Sequence, residues 1–357
     1  MKKYFILLLL LLVSCDKKSR NSEEINYKNE KDMVNYYSSI KEFSVLKVLD
    51  FVTSKGEQIF LSPATIIKSY KNRVYFYDKF KIYVTDSELN VQQIISLKEK
   101  DYMFKGKISD IEIIENSIFI LDRSNKIKKI AMESPEKIDE IELDNKGTYR
   151  GDYYGMTYIG DNCLLLTAGL LPLSFNTNNS GIEVGKVFEL NGRYKFSITI
   201  PIEKADVESW KEGGDITFSA NFKKLLYFSF STSRNIYVFN SSGELLKVFQ
   251  LAVDKKYWFE PKISLKSVNI AGREQSVTSV KFVIQYANNL QIADGYTYQI
   301  MYKGTDKSPS LIKYNLKFEI VESLDLKNIA PGMGYKIYLI NDRILLVHNS
   351  IFYIVGK

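Results

Sequence analysis

From residue 74 to the end of this chain one pattern keeps returning: an apolar strand, a short loop and a second strand. KNRVYFYDKFKIYVTDSELNVQQIISL aligns with ENSIFILDRSNKIKKIAMESPEKIDEIEL, the apolar strands ending at Asp78 and Asp122. More divergent copies follow as GDNCLLLTAG, NFKKLLYFSFSTSRNIYVFNSSGELLKVFQL, GYTYQIMYKGTDKSPSLIKYNLKFEIVESLDL and NDRILLVHNSIFYIVGK. Their first strand residues are Val74, Ile118, Cys163, Leu225, Gln299 and Ile344, at intervals of 44, 45, 62, 74 and 45 residues. A period near 45 built from short strands is that of a four-stranded propeller blade. The two long intervals predict insertions at about 168–185 and about 252–285. The expected fold is all-β, a six-bladed β-propeller.

The last copy supplies only three strands, GYKIYLIND, RILLVHN and SIFYIVGK, before the chain ends at Lys357. The strand SVLKVLDFV, residues 44–52, belongs to no blade of its own. As the outer strand of blade six it would close the ring and leave no unpaired seam. The alternative is a β-sandwich or two smaller β domains.

Residues 1–15 read MKKYFILLLLLLVSC: two lysines, an apolar run from Tyr4 to Val13, then a small residue before a cysteine. This is the three-part pattern of a secretory signal. The run is about half of the roughly 20 apolar residues a spanning helix needs. Leu12-Val13-Ser14-Cys15 resembles the lipobox of bacterial lipoproteins, which implies that Cys15 becomes the lipidated first residue of the mature chain. From Asp16 to about Lys41 the sequence is rich in Lys, Glu, Asn and Ser without an apolar period, as expected of a solvated tether spanning roughly 30 Å. The expected division is therefore 1–14 signal peptide, 15–42 lipidated cysteine and tether, and 43–357 propeller. The protein is expected to be exported and held by lipid at Cys15 in the bacterial envelope, on the periplasmic or the cell-surface side.

With two cysteines and one histidine, His348, there is no disulfide framework, no Cys/His zinc cluster and no H-E-x-x-H helix. Residues 1–14 hold Lys2 and Lys3 of the 49 basic side chains; without them, 47 face 42 acidic ones, a formal charge of +5. So small a charge over such a length, together with export, argues against a nucleic-acid partner. Cys163 lies in the apolar run NCLLL and reads as a buried, inert thiol. No cofactor motif is present, and a monomer is expected.

The lipobox, the strands NRVYFYD and NSIFILD, and the segment YTYQIMYKG followed by LIKYNLKFEIVESLDL together resemble a family of six-bladed β-propeller lipoproteins of Gram-negative bacteria, a TolB-like group related to NHL-repeat propellers. The resemblance covers roughly residues 44–357. It implies a fold and a compartment, and no reaction.

Propellers bind at the rim where blade-to-blade connections meet the loops between second and third strands. Here the connections contain Tyr102-Met103-Phe104, the run Tyr149-Arg150-Gly151-Asp152-Tyr153-Tyr154, Trp210, Tyr257-Trp258-Phe259, and Tyr335. Tyr149, Arg150, Asp152, Tyr153, Tyr154, Trp210 and Trp258, with Arg123 and Arg234 in the blade loops, form the candidate binding rim. Such rings stack on sugars or anchor a protein, with a polar end left for a hydrogen bond. The plainer reading is that they cap blade ends and pack between neighbours. Asp78 and Asp122, equivalent in adjacent blades, are weak candidates for a divalent metal, against the simpler role of accepting N–H bonds in the following turn. His348 has no nucleophile or second histidine from which a triad could be built. The leading expectation is a non-catalytic binding module for a protein or glycan. A propeller hydrolase or lactonase with a metal in the channel, and a purely structural envelope lipoprotein, are the alternatives.

Overall fold

The computed structural model describes residues 41–42, 45–49, 51–62, 65–97, 108–122, 126–144, 153–168, 181–204, 217–230, 233, 235–250, 263–270, 273–280, 287–303, 308–326, 335–341 and 343–356. Among them, consecutive strands pair antiparallel into six sheets, the blades of a β-propeller. Blade one comprises Ile66–Tyr70, Arg73–Asp78, Lys81–Thr85 and Val91–Ser96, and blade two Ile108–Ile114, Ser117–Asp122, Lys126–Ala131 and Ser134–Glu142. Blade three follows as Tyr153–Gly160, Cys163–Ala168, Ile182–Glu189 and Tyr194–Ile200, then blade four as Thr217–Phe222, Leu225–Phe230, Asn235–Asn240 and Leu245–Gln250. Blade five is Ala287–Ala293, Tyr296–Lys303, Ser308–Asn315 and Ile320–Asp325.

Blade six takes Lys336–Ile340, Arg343–His348 and Ile351–Gly356 from the end of the chain, and Val45–Leu49 from its beginning as the outermost strand. That strand runs antiparallel to Ile351–Gly356 in the register Val45↔Val355, Lys47↔Ile354, Val48↔Tyr353 and Leu49↔Phe352. The expected closure is therefore present. Each inner strand neighbours the next, and the inner strand of blade six returns to that of blade one. All six repeat positions read from the sequence fall on second strands.

Second strands are mostly apolar because both their faces are covered, with Thr297 and Gln299 of blade five as buried polar exceptions mid-strand. In blade one, Val74 and Phe76 pack against blade six, while Tyr75 and Tyr77 pack against blade two. The core is accordingly divided into six apolar clusters, one at each blade–blade interface.

The two rims differ in chain economy. Turns between first and second strands are two residues long in every blade, and the first of the two (Lys71, Glu115, Asp161, Lys223, Asp294, Asn341) has positive φ, the handedness that tight hairpins require. Turns between third and fourth strands share one pattern in blades one, three, four and five. The N–H of Asp86, Glu189, Asn240 or Asn315 donates to the carbonyl four residues on, and its carbonyl accepts the N–H three residues on. That third residue is Leu89, Gly192, Gly243 or Phe318, all left-handed. Side-chain oxygens of Asp86, Asn240 and Asn315 accept two further turn N–H groups each.

Within the longer expected insertion lies a hairpin, Ile263–Ile270 with Arg273–Val280; residues 169–180 of the shorter one are outside the described residues. Two small additions were not legible in the sequence. Lys41–Glu42, at the end of the expected tether, adds in parallel to Ile320–Asp325 of blade five, and Val52–Ser54 pairs with Glu57–Ile59 between blades six and one. Pairings of two or three residues carry no periodicity to read. No helix among the described residues is long and apolar enough to cross a membrane.

Candidate binding rim and channel mouth

The chain passes from the outer strand of one blade to the inner strand of the next at the same rim as the loops between second and third strands. Those connections are residues 50–65, 97–107, 143–152, 201–216, 251–286 and 326–335. Set against turns of two to five residues on the opposite rim, they gather most of the non-blade sequence on one face.

Of the sequence-derived rim set, Tyr149, Arg150, Asp152, Trp210, Trp258, Arg123 and Arg234 lie outside the described residues, as does Cys15. Tyr153 and Tyr154 begin the inner strand of blade three and point to opposite faces, as adjacent strand residues must. Tyr153 is buried against Phe188, with ring centroids 6.2 Å apart, and belongs to the core between blades two and three. Tyr154 is 40% exposed. Tyr335 is fully buried and stacks on His348 with centroids 4.3 Å apart and ring planes 15° apart. Burial, reinforced by Tyr353 and Tyr302, pushes its hydroxyl pKa upward, so the phenol stays neutral. The His348 Nε2 lies 3.5 Å from Asn349 Nδ2. His348 is thus a packing residue in its blade.

Asp78 and Asp122 are both buried. Asp78 accepts the Ser62 hydroxyl at 2.5 Å. Asp122 pairs with the buried Lys128 at 2.5 Å and accepts the Lys126 backbone N–H at 3.3 Å, the turn role anticipated for it. Among the described residues no group of three or more His, Cys, Asp or Glu side chains is placed to hold a metal ion. Cys163 is buried in the core between blades three and four, its thiol donating to the Asp161 carbonyl at 3.2 Å.

A charged network along the inner strands was missed in the sequence. Lys68 of blade one pairs with Glu112 of blade two at 3.0 Å and donates to the Met156 carbonyl of blade three at 3.1 Å. Glu112 also accepts the Tyr158 N–H at 3.1 Å and the Ile113 N–H at 3.0 Å. Asp110 accepts the N–H groups of Met156 and Ile111, each at 2.8 Å. Burial works against the Lys68 ammonium, but Glu112 and Asp110 outweigh it and its pKa is raised. Burial also raises the Asp110 pKa, opposed by Lys68 and the Met156 N–H. At the start of the inner strand of blade six, partial desolvation lowers the pKa of the exposed Lys336, opposed by Asp110. The readable signal was ISDIEII: charges at period two, alternating with Ile111 and Ile113, which pack toward blade one. With each carboxylate oxygen occupied, the network pins blades one, two and three together and leaves no free acid–base pair in it.

No protein-family model matches the chain, and no curated protein matches its sequence. Solved structures do. A member of the DUF4221 family from Bacteroides vulgatus is 13% identical with a TM-score of 0.53, covering 88% of this chain and 97% of that one. A putative exported protein from Bacteroides fragilis is 10% identical with a TM-score of 0.54, covering 88% and 97%. BamB from Moraxella catarrhalis is 10% identical with a TM-score of 0.44, covering 88% and 98%. At these identities the first two similarities speak for the propeller fold alone.

Proposed function

We propose that this chain is an exported, lipid-anchored envelope propeller of the TolB-like kind that acts as a non-catalytic binding module, engaging a protein or glycan through its long-connection rim. The observation that carries this reading is the asymmetry of the rims. Blade turns on one face are held to two to five residues, whereas every connection on the other runs to ten or more, and loops displayed by a rigid scaffold are where binding residues concentrate. All six of these connections carry aromatic residues, both tryptophans of the chain among them. Exposed Tyr154 lies beside one of them. Export is supported by the N-terminal signal pattern and by the description of the Bacteroides fragilis protein as exported.

The test is chemical cross-linking of the anchored protein in its own envelope, followed by binding assays on the captured partner. Alanine at Trp210, Trp258 or Tyr154 is expected to weaken binding about tenfold or more where the ring is an anchor, while substitutions in the tight turns at Lys71 or Lys223 leave it unchanged. Equal losses from both rims, or none from the aromatic rim, would overturn the reading.

A further inference from the structure

The outer strand of a propeller blade leaves one row of main-chain groups unpaired, and an open edge is a template for a further strand unless something blunts it. In five blades something does. Ser134–Glu142 carries Glu136, Lys137, Asp139, Glu140 and Glu142, while Tyr194–Ile200, Leu245–Gln250 and Val45–Leu49 each carry a lysine. Ile320–Asp325 carries Glu322 and Asp325 and is partly covered by Lys41–Glu42. Blade one is the exception. Its outer strand, Val91–Ser96, reads VQQIIS, with no charge, no proline and, among the described residues, no strand laid along Gln92–Ser96. The hairpin that begins at Val52 meets this edge before it, at Asn90, through a single bridge from Thr53. Ile94 is 46% exposed, and Gln92, Gln93 and Ser96 are exposed with it.

The direction of the main-chain groups follows from the pairing within the blade. Lys81 stands opposite Ser96 and Ile82 opposite Ile95, and the Leu97 N–H donates to the Phe80 carbonyl at 2.7 Å. Residues 93, 95 and 97 therefore turn their N–H and C=O groups inward to the third strand, and Gln92, Ile94 and Ser96 turn theirs outward, by the alternation of an antiparallel ladder. The outward set is symmetric about Ile94. Two copies of this edge match each other without any change of shape.

We propose that the chain pairs with a second copy of itself along Val91–Ser96, antiparallel about a two-fold axis at Ile94. Ile94 then meets Ile94 of the second copy and exchanges both main-chain hydrogen bonds with it, with Gln92 opposite Ser96 on either side. The two exposed isoleucines cover one another. No charged side chain of this strand is brought against its own copy, a juxtaposition that destabilises paired strands. Such an isologous contact closes at two copies and does not grow into a fibre. It lies on the outer wall of blade one and is independent of the rim reading above, and it replaces the monomer expected from the sequence. One strand edge is a small contact, so association in solution is expected to be micromolar or weaker.

The test is sedimentation of the mature chain carrying Cys15→Ser, at concentrations up to roughly 1 mM, the weak end of specific association. The average mass should rise toward that of two copies. Ile94→Lys sets two ammonium groups together at the axis and should weaken association about tenfold or more, while the melting temperature at low concentration stays that of the parent because the side chain is exposed. Hydrogen exchange at the Gln92, Ile94 and Ser96 amides should slow as concentration rises. Ile94→Cys should give a covalent dimer with a short thiol cross-linker, whereas Leu246→Cys, exposed on the outer strand of blade four, should not; Cys163 is buried and takes no part. A mass of one copy at every concentration, or a dimer that Ile94→Lys leaves intact, would overturn the proposal. Protection of this edge by a foreign peptide alone, with no association between copies, would overturn it as well.

Discussion

Deleting residues 44–52 removes the strand that joins the two ends of the chain, and its cost can be worked out from the structure. Four register positions pair Val45–Leu49 with Ile351–Gly356; at about 1 kcal/mol per net hydrogen bond their loss amounts to about 4 kcal/mol. Val52 is fully buried in the cluster shared by blades six and one, and Leu49 packs against the same cluster. Together these side chains add roughly 2–3 kcal/mol of burial. The exposed Lys47–Glu88 pair at 3.7 Å adds little. A total of about 6–7 kcal/mol is comparable with the whole stability of many domains, and the bared edge of Ile351–Gly356 invites aggregation. Urea unfolding of the mature chain, with the deletion 16–40 as control, is the assay. The 44–52 deletion should unfold at far lower urea or aggregate, and the control should match the parent. Equal effects of the two deletions would refute the closure account.

Cys15→Ser should abolish lipid attachment and move the protein to the aqueous phase in detergent partitioning; unchanged partitioning would contradict the anchor. Gly192 and Gly295 are both left-handed, but an added Cβ at Gly192 would stand 2.2 Å from the Glu142 carbonyl oxygen, whereas at Gly295 it meets nothing within 4 Å. Gly295→Ala should therefore cost about 1 kcal/mol and Gly192→Ala clearly more, about 2–4 kcal/mol, by thermal unfolding; similar costs would show that the contact between blades two and three yields easily. Lys128→Met leaves the buried Asp122 carboxylate without its closest cation and should destabilise by about 3–5 kcal/mol, with Asp122→Asn in the same background restoring part of the loss. No recovery in the double variant would contradict the pairing.

Legibility followed burial. Second strands such as SIFILD and RILLVH were conspicuous because neighbouring blades cover both faces, so six of them set the blade count, and the three-strand ending at Lys357 exposed the missing partner. The charged network was legible only in part: ISDIEII shows its carboxylates at period two, but Lys68 sits in a short strand whose pattern is otherwise ordinary. Tyr153 and Tyr154 show the limit most plainly. Both belong to one aromatic connection in the sequence, yet a single step along the strand places one ring in the core and the other in solvent. An aromatic near a blade end is a rim residue or a cap according to register, and register is fixed by pairing across the sheet.

The central functional claim is that one rim binds. Hydrogen–deuterium exchange of the mature protein with and without its captured partner tests it directly. The account predicts protection in peptides from connections 97–107, 143–152 and 201–216, with no change at the turns at Lys71, Glu115 and Lys223. Protection at those turns, with the connections unaffected, would contradict it.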